Sequence, residues 1–167
     1  MRDASTGPAM PVCEGPQVPS NCPAGAVLYS MRSGVVEWTG GASIPGAVWV
    51  WRGDVAANAP AAFQTAIFEK TVVVGDHPTG NLWLAVDDWA QVFVNGTSVG
   101  TAGSIENVDK AWHAQNALQP FDLTPALRPG ANTIAVVAKN GPFACNSPDC
   151  TYTQAPAGVV FAGVIRW

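Results

Sequence analysis

Few side chains in this sequence carry obvious chemistry, and those that do are aromatic, acidic or sulfur-bearing. Seven tryptophans in 167 residues is a high share. An indole face can stack on the C–H groups of a sugar ring, and it can equally fill a core. Trp89, Trp112 and Tyr152 fall outside regular apolar runs and are the candidates for stacking. Trp49 or Trp51, Trp83 and Trp167 sit in strand-like runs and read as core or interface. Adjacent Asp87 and Asp88 could take a sugar hydroxyl or a calcium ion. Calcium asks for about six to eight oxygen ligands, and no Asp-rich spacing supplies them. A structural calcium is therefore allowed but not indicated, and no cofactor is expected. The plainer reading of such a corner is a carboxylate that accepts backbone N–H groups. That reading is favoured for Asp87, while Asp88 is open to both.

Nucleophilic and metal chemistry find less support. His77 and His113 are the only histidines, and tracing the strands puts them at opposite ends of the molecule, which argues against a shared metal or catalytic pair. No Gly-x-Ser-x-Gly elbow is present. A glycosidase needs two carboxylates flanking a cleft; Asp88 and Glu106 can be nominated, but nothing marks them. The expectation is a protein without catalytic activity, whose candidate ligand-binding residues are Asp88, Trp89, Trp112, His113 and Tyr152.

The four cysteines form two close pairs, Cys13/Cys22 and Cys145/Cys150. Their separations do not match the tight knuckles of structural zinc, so disulfides are expected, with local pairing the simplest of the possible connectivities. Disulfides would place the protein outside the cell or on the surface of a particle such as a virion. The N-terminus lacks the apolar core of a signal peptide. Either a leader has been removed, or the oxidising space is reached by another route such as lysis.

The elements that must position these residues are strands. Only 12% of residues are charged, against 48% hydrophobic, with 17 Gly and 14 Pro, a turn-rich composition poor in the residues that favour exposed helices. The net charge of −4 comes with no Lys/Arg cluster, which excludes nucleic acid as the expected partner. No run is long enough for a transmembrane helix, so membrane insertion is not expected. Residues 1–25 are rich in proline and glycine and lack periodicity, so they read as an irregular arm. Residues 26–167 read as one domain.

Within that domain the stretch Asn81–Gly100 is the organising unit. Leu82, Leu84 and Val86 alternate with their neighbours, as do Val92 and Val94, which is the period of a strand with one buried face. Asn95-Gly96 is a strong hairpin signal, because a type I′ turn needs φ > 0 at both central residues. The formal glycosylation sequon Asn95-Gly96-Thr97 coincides with this turn and is discounted. Around it, Val48–Trp51 reads as a strand with Trp49 and Trp51 on one face. Residues 63–74 read as a strand with Phe63, Thr65 and Ile67 in alternation and a change of phase near Phe68. Ile134, Val136 and Ala138 mark another, and residues 159–167 close the chain. A short helix fits around Val108–Ala117. About eight to ten short strands with frequent turns mean a β-sandwich or barrel.

The motifs FEKTVVV at 68–74, LWLAVDDWAQVFVNGTSVG at 82–100 and FDLTPALRPGANTIAVVAKN at 121–140, with Val48–Trp51, Trp112 and PAGVVFAGVI at 156–165, span residues 48 to 165. In this order they resemble the galactose-binding-like jelly-roll superfamily, which includes carbohydrate-binding modules and accessory domains of glycoside hydrolases. The resemblance implies an all-β jelly-roll sandwich of two antiparallel sheets. Strand direction then puts Asn95-Gly96, Pro129-Gly130 and residues 75–80 at one trimmed end. The corner Asp87-Asp88-Trp89, residues 101–120 and residues 140–157 gather at the other, where loops on a rigid scaffold carry function. Glycan sites in the superfamily are commonly at one loop end. Two functions fit: a non-catalytic extracellular module that binds carbohydrate, or a structural subunit of an assembly, such as a virion decoration or tail protein or a surface filament component. The low charge density and the Pro-rich arm suit the second, in which the partner is another subunit, including a homo-oligomer.

Overall fold

The computed structural model describes residues 26–30, 41–44, 47, 49–51, 60–143, 151 and 154–167. Two four-stranded antiparallel sheets face each other, as the composition and the resemblance predict. In chain order the strands are β1 (Ala26–Ser30), β2 (Thr65–Val74), β3 (Thr79–Asp87), β4 (Trp89–Val94), β5 (Thr97–Gly103), β6 (Gln119–Asp122), β7 (Gly130–Lys139) and β8 (Gly158–Arg166). The first sheet runs β1-β8-β3-β6 and the second β2-β7-β4-β5. The one α-helix among the described residues, α1, spans Val108–Asn116 and packs on β3 and β5. No helix among them is long and apolar enough to cross a membrane.

The core follows the period-two pattern. Leu82, Leu84 and Val86 of β3 face Val92 and Val94 of β4 and Ile134, Val136 and Ala138 of β7, all fully buried. Phe68 of β2 and Phe161 of β8 meet across the sandwich with ring centroids 5.9 Å apart. Each such aliphatic side chain contributes roughly 1.5–3 kcal/mol by leaving water.

Two expectations fail for local reasons. β2 does not change phase near Phe68. Phe63 lies before the strand at φ 62°, and β2 pairs with β7 residue for residue from Thr65↔Lys139 to Val74↔Gly130. With no bulge to shift the parity, Ala66, Phe68, Val72 and Val74 hold one buried face throughout. Trp49 and Trp51 do not share a face either. Val50 makes only an isolated bridge, to Val159, and one bridge imposes no strand period. Trp49 packs with Ala85 and Val160 on the outside of the first sheet, while Trp51 enters the main core and donates from Nε1 to Gln64 Oε1 at 2.9 Å.

Strand direction sorts the connections as expected. The β2–β3, β4–β5 and β6–β7 connections lie at one end. The β3–β4 corner, α1 and the β7–β8 connection lie at the other. At the trimmed end Asn95 and Gly96 have φ of 53° and 79°, the left-handed pair that a type I′ hairpin requires. The Asn95 amide turns inward, donating to Asn132 Oδ1 at 2.8 Å and to the Ala126 carbonyl at 3.0 Å, which accounts for the asparagine without a glycan.

Candidate ligand-binding site

The elaborated end is built on the corner between β3 and β4. Asp87 ends β3, Asp88 occupies the turn, and the peptide between them is cis. Asp88 is 7% exposed, and its polar atoms go to backbone. Its Oδ2 accepts from the Gly141 N–H at 2.6 Å, its carbonyl accepts from the Ser104 N–H at 3.1 Å, and its N–H points to the Lys139 carbonyl at 3.4 Å. One residue therefore ties the ends of β5 and β7 to the corner. Two glycines permit that approach. A Cβ on Gly103, whose φ is 72°, would collide with the Asp88 carbonyl, and one on Gly141 would stand 2.8 Å from Asp88 Oδ2.

α1 is set beside the corner by its own caps. Ser104 Oγ accepts from the N–H groups of Glu106 and Asn107, and Asn107 Oδ1 accepts from the Lys110 N–H at 2.9 Å, satisfying donors that a helix start leaves unpaired. Ala111 and Ala114 are buried against the sheets. That leaves Trp112, 66% exposed, on the outer side. The predicted helix is present, and it carries Trp112 on a rigid element.

Between corner, helix and the segment after β7 lies a cavity of about 230 Å³, lined by Asp87, Asp88, Trp112, Gln115, Asn140 and Phe143 among others. Asn140 is buried and anchors this wall, donating from Nδ2 to the carbonyls of Pro60 and Ala61. Asp87 is only partly buried as a residue, yet its carboxyl is pushed up to about 9, first by burial and then by its hydrogen bond to Asp88 and the charge there. Burial and the neighbouring Asp88 carboxyl thus keep a proton on Asp87 at neutral pH, while Asp88 Oδ2 accepts from the Gly141 N–H. This inverts the expected division of roles: Asp88 is the backbone acceptor, and Asp87 presents a carboxylic acid to the cavity.

Of the predicted ligand-binding residues, the structure brings Asp88 and Trp112 together and separates the others. Trp89 follows Asp88 on a strand and points to the opposite face, where it lines a different cavity with Glu106 and Lys139. His113 is about 100° round the helix from Trp112 and lines a third cavity with Asp109 and Lys110. Asp88 and Glu106, the nominated carboxylate pair, do not flank a common cleft. Tyr152 and the four cysteines, Cys13, Cys22, Cys145 and Cys150, lie outside the described residues. Gln115 was missed, although it follows Trp112 by the three residues that share a helix face. Among the described residues no three His, Cys, Asp or Glu side chains converge as metal ligands would.

No protein-family model matches the chain, and no curated protein sequence matches it. Solved structures do. An α-L-rhamnosidase from Streptomyces avermitilis, determined with L-rhamnose, superposes with a TM-score of 0.51 at 26% identity over 70% of this chain. The sandwich is of the galactose-binding-like, jelly-roll kind. A lectin from Pleurotus ostreatus is also similar, with a TM-score of 0.46 at 20% identity over 70% of this chain. The chain spans about a tenth of the rhamnosidase (10%) and under a third of the lectin (29%).

Proposed function

We propose that this chain is a non-catalytic carbohydrate-binding module that holds one sugar ring in the cavity beside the Asp87–Asp88 corner. The observation that carries the reading is the meeting of a carboxyl pair, Asp87 partly buried and Asp88 buried, with an exposed tryptophan on one cavity. Hydroxyl groups need fixed polar partners, and the apolar face of a sugar ring needs an aromatic surface. The cavity is smaller than the roughly 300–1,000 Å³ typical of drug-sized ligands, which suits a single ring. The likeness to a rhamnosidase solved with L-rhamnose supports the same ligand class. An extracellular or particle-surface setting goes with this reading and rests on the cysteine pairs.

The test is a glycan array probed with the purified protein in calcium-containing buffer and in EDTA, alongside Trp112→Ala. Binding that falls at least tenfold in the variant supports the reading. Binding untouched by the substitution, or silence across the array in both buffers, overturns it.

A second reading, a subunit of an assembly, draws on another surface. Trp83 on β3 and Trp167 after β8 are 40% and 42% exposed. Sedimentation would separate the two: a module runs as a monomer, whereas an assembly subunit self-associates and shields these indoles from quenchers.

A further inference from the structure

The carboxyl pair that lines the cavity has no counter-charge there among the described residues. Among the described residues, Asp87 and Asp88 are the only ionisable side chains on its wall. From α1 the cavity receives Trp112 and Gln115, and from the segments after β7 Asn140, Phe143 and Gln154, none of which ionises. The ionisable groups of α1, Asp109, Lys110 and His113, line a separate cavity. Lys139 and Glu106 line another, beside Trp89. Asp88 directs Oδ2 to the Gly141 N–H, and among the described residues no cation lines the cavity.

We propose, resting on the carbohydrate reading above, that this site selects its ligand by charge, accepting rings that present uncharged hydroxyl groups and rejecting rings that present a carboxylate or sulfate, with Asp87 as the deciding residue. Two carboxyl groups can hydrogen-bond to each other only if one of them holds a proton. With a proton held on Asp87, the pair sets a donor beside an acceptor on one wall of the cavity. A sugar hydroxyl can both donate to and accept from such a pair. An acidic sugar brings a second negative charge close to Asp88 in a part-enclosed space, where water screens it poorly. It would also have to lose hydration that no cation on the described wall of the cavity replaces.

The same arrangement ties binding to pH. Because the proton on Asp87 leaves at about pH 9, raising the pH through that value places two negative charges on the corner. A ligand hydroxyl then faces repelled carboxylates and no acid donor.

The experiment uses the whole chain and the neutral sugar identified on the array, titrated by calorimetry beside its uronic-acid counterpart at pH 7. The acid is expected to bind at least tenfold more weakly. The neutral sugar is then titrated from pH 7 to pH 10.5 with wild type and with Asp87→Asn, whose amide cannot ionise. Wild-type affinity is expected to fall across that range, while the variant, whatever its own affinity, stays flat; far-UV circular dichroism checks that both remain folded. Equal binding of the neutral and acidic sugars overturns the inference while leaving the carbohydrate reading in place. So does a wild-type affinity unchanged by pH. An array silent to every sugar removes both.

Discussion

The two ends of the sandwich solve the same problem, the satisfaction of buried polar groups, by opposite means. At the trimmed end the residues involved are close in sequence or bound to one short turn. Asn132 is fully buried and uses both ends of its amide. Its Oδ1 accepts from Asn95 Nδ2 and the Arg128 N–H, and its Nδ2 donates to the carbonyls of Arg128 and Gly130. In this network neutral amides meet neutral backbone, and none of the groups in it is ionisable. At the elaborated end the bonds join distant segments, as from Asp88 to Gly141, and they leave a protonated acid beside a cavity. A fully paired neutral network has only stability to offer. A carboxyl held out of its ordinary charge state weakens the fold at neutral pH, and such strain is expected where a ligand is to be met.

Three substitutions sharpen this contrast. The largest effect is expected from Gly103→Ala, which adds a Cβ against the Asp88 carbonyl at a residue whose φ is 72°. Neither neighbour is the flexible end of a side chain, so the corner must open. A loss of about 3 kcal/mol or more in urea denaturation is expected, from backbone strain together with the loss of the Ser104 hydrogen bond. A near-neutral result would show that the corner yields easily and is not the rigid part of the site. Next comes Asn132→Ala at the other end. It removes one of the Asn95 amide's two acceptors and takes the Asn132 side chain away from the Arg128 N–H and from the carbonyls of Arg128 and Gly130, and about 2–3 kcal/mol should be lost. Sugar binding should survive under conditions where the variant is folded, because the substitution lies at the far end of the strands. Loss of binding in a folded variant would mean that the two ends are coupled.

The smallest effect has the opposite sign. Asp87 holds its proton to about pH 9 in the folded protein, against an ordinary value of 3.8. Between those values the native state binds one more proton than the unfolded chain, so stability declines as pH rises. Asp87→Asn removes that slope. The variant should match wild type near pH 4 and melt higher at pH 8, by a few degrees in thermal denaturation. Equal melting temperatures at both pH values would show that Asp87 ionises normally and that the carboxyl pair is not under strain.

Much of the architecture was legible in the residues. Alternation at Leu82–Val86, Val92–Val94 and Ile134–Ala138 marked three central strands, because a sheet with one buried face writes its period directly into the chain. Asn95-Gly96 marked the hairpin, because few residues accept φ > 0. These signals are local, and strand direction carried them as far as sorting the two ends. The helix at Val108–Asn116 was visible from its span, but its face was not read, so Trp112 and His113 were placed in one site although the helical twist separates them. β2 misled because Phe63 looked like the first alternating residue while its backbone turns away before the ladder starts.

By itself, then, the chain determined which segments become strands, which turns close them and that the aromatic loops share one end, since each of these depends on neighbours in sequence and on a fixed period. Only the tertiary structure decided how the carboxyls divide their work. The state of Asp87 depends on burial and on the neighbouring Asp88, whose own Oδ2 is taken by the N–H of Gly141 beyond another strand's end. A proton's affinity is set by everything within a few ångströms, and that neighbourhood exists only once the chain has folded.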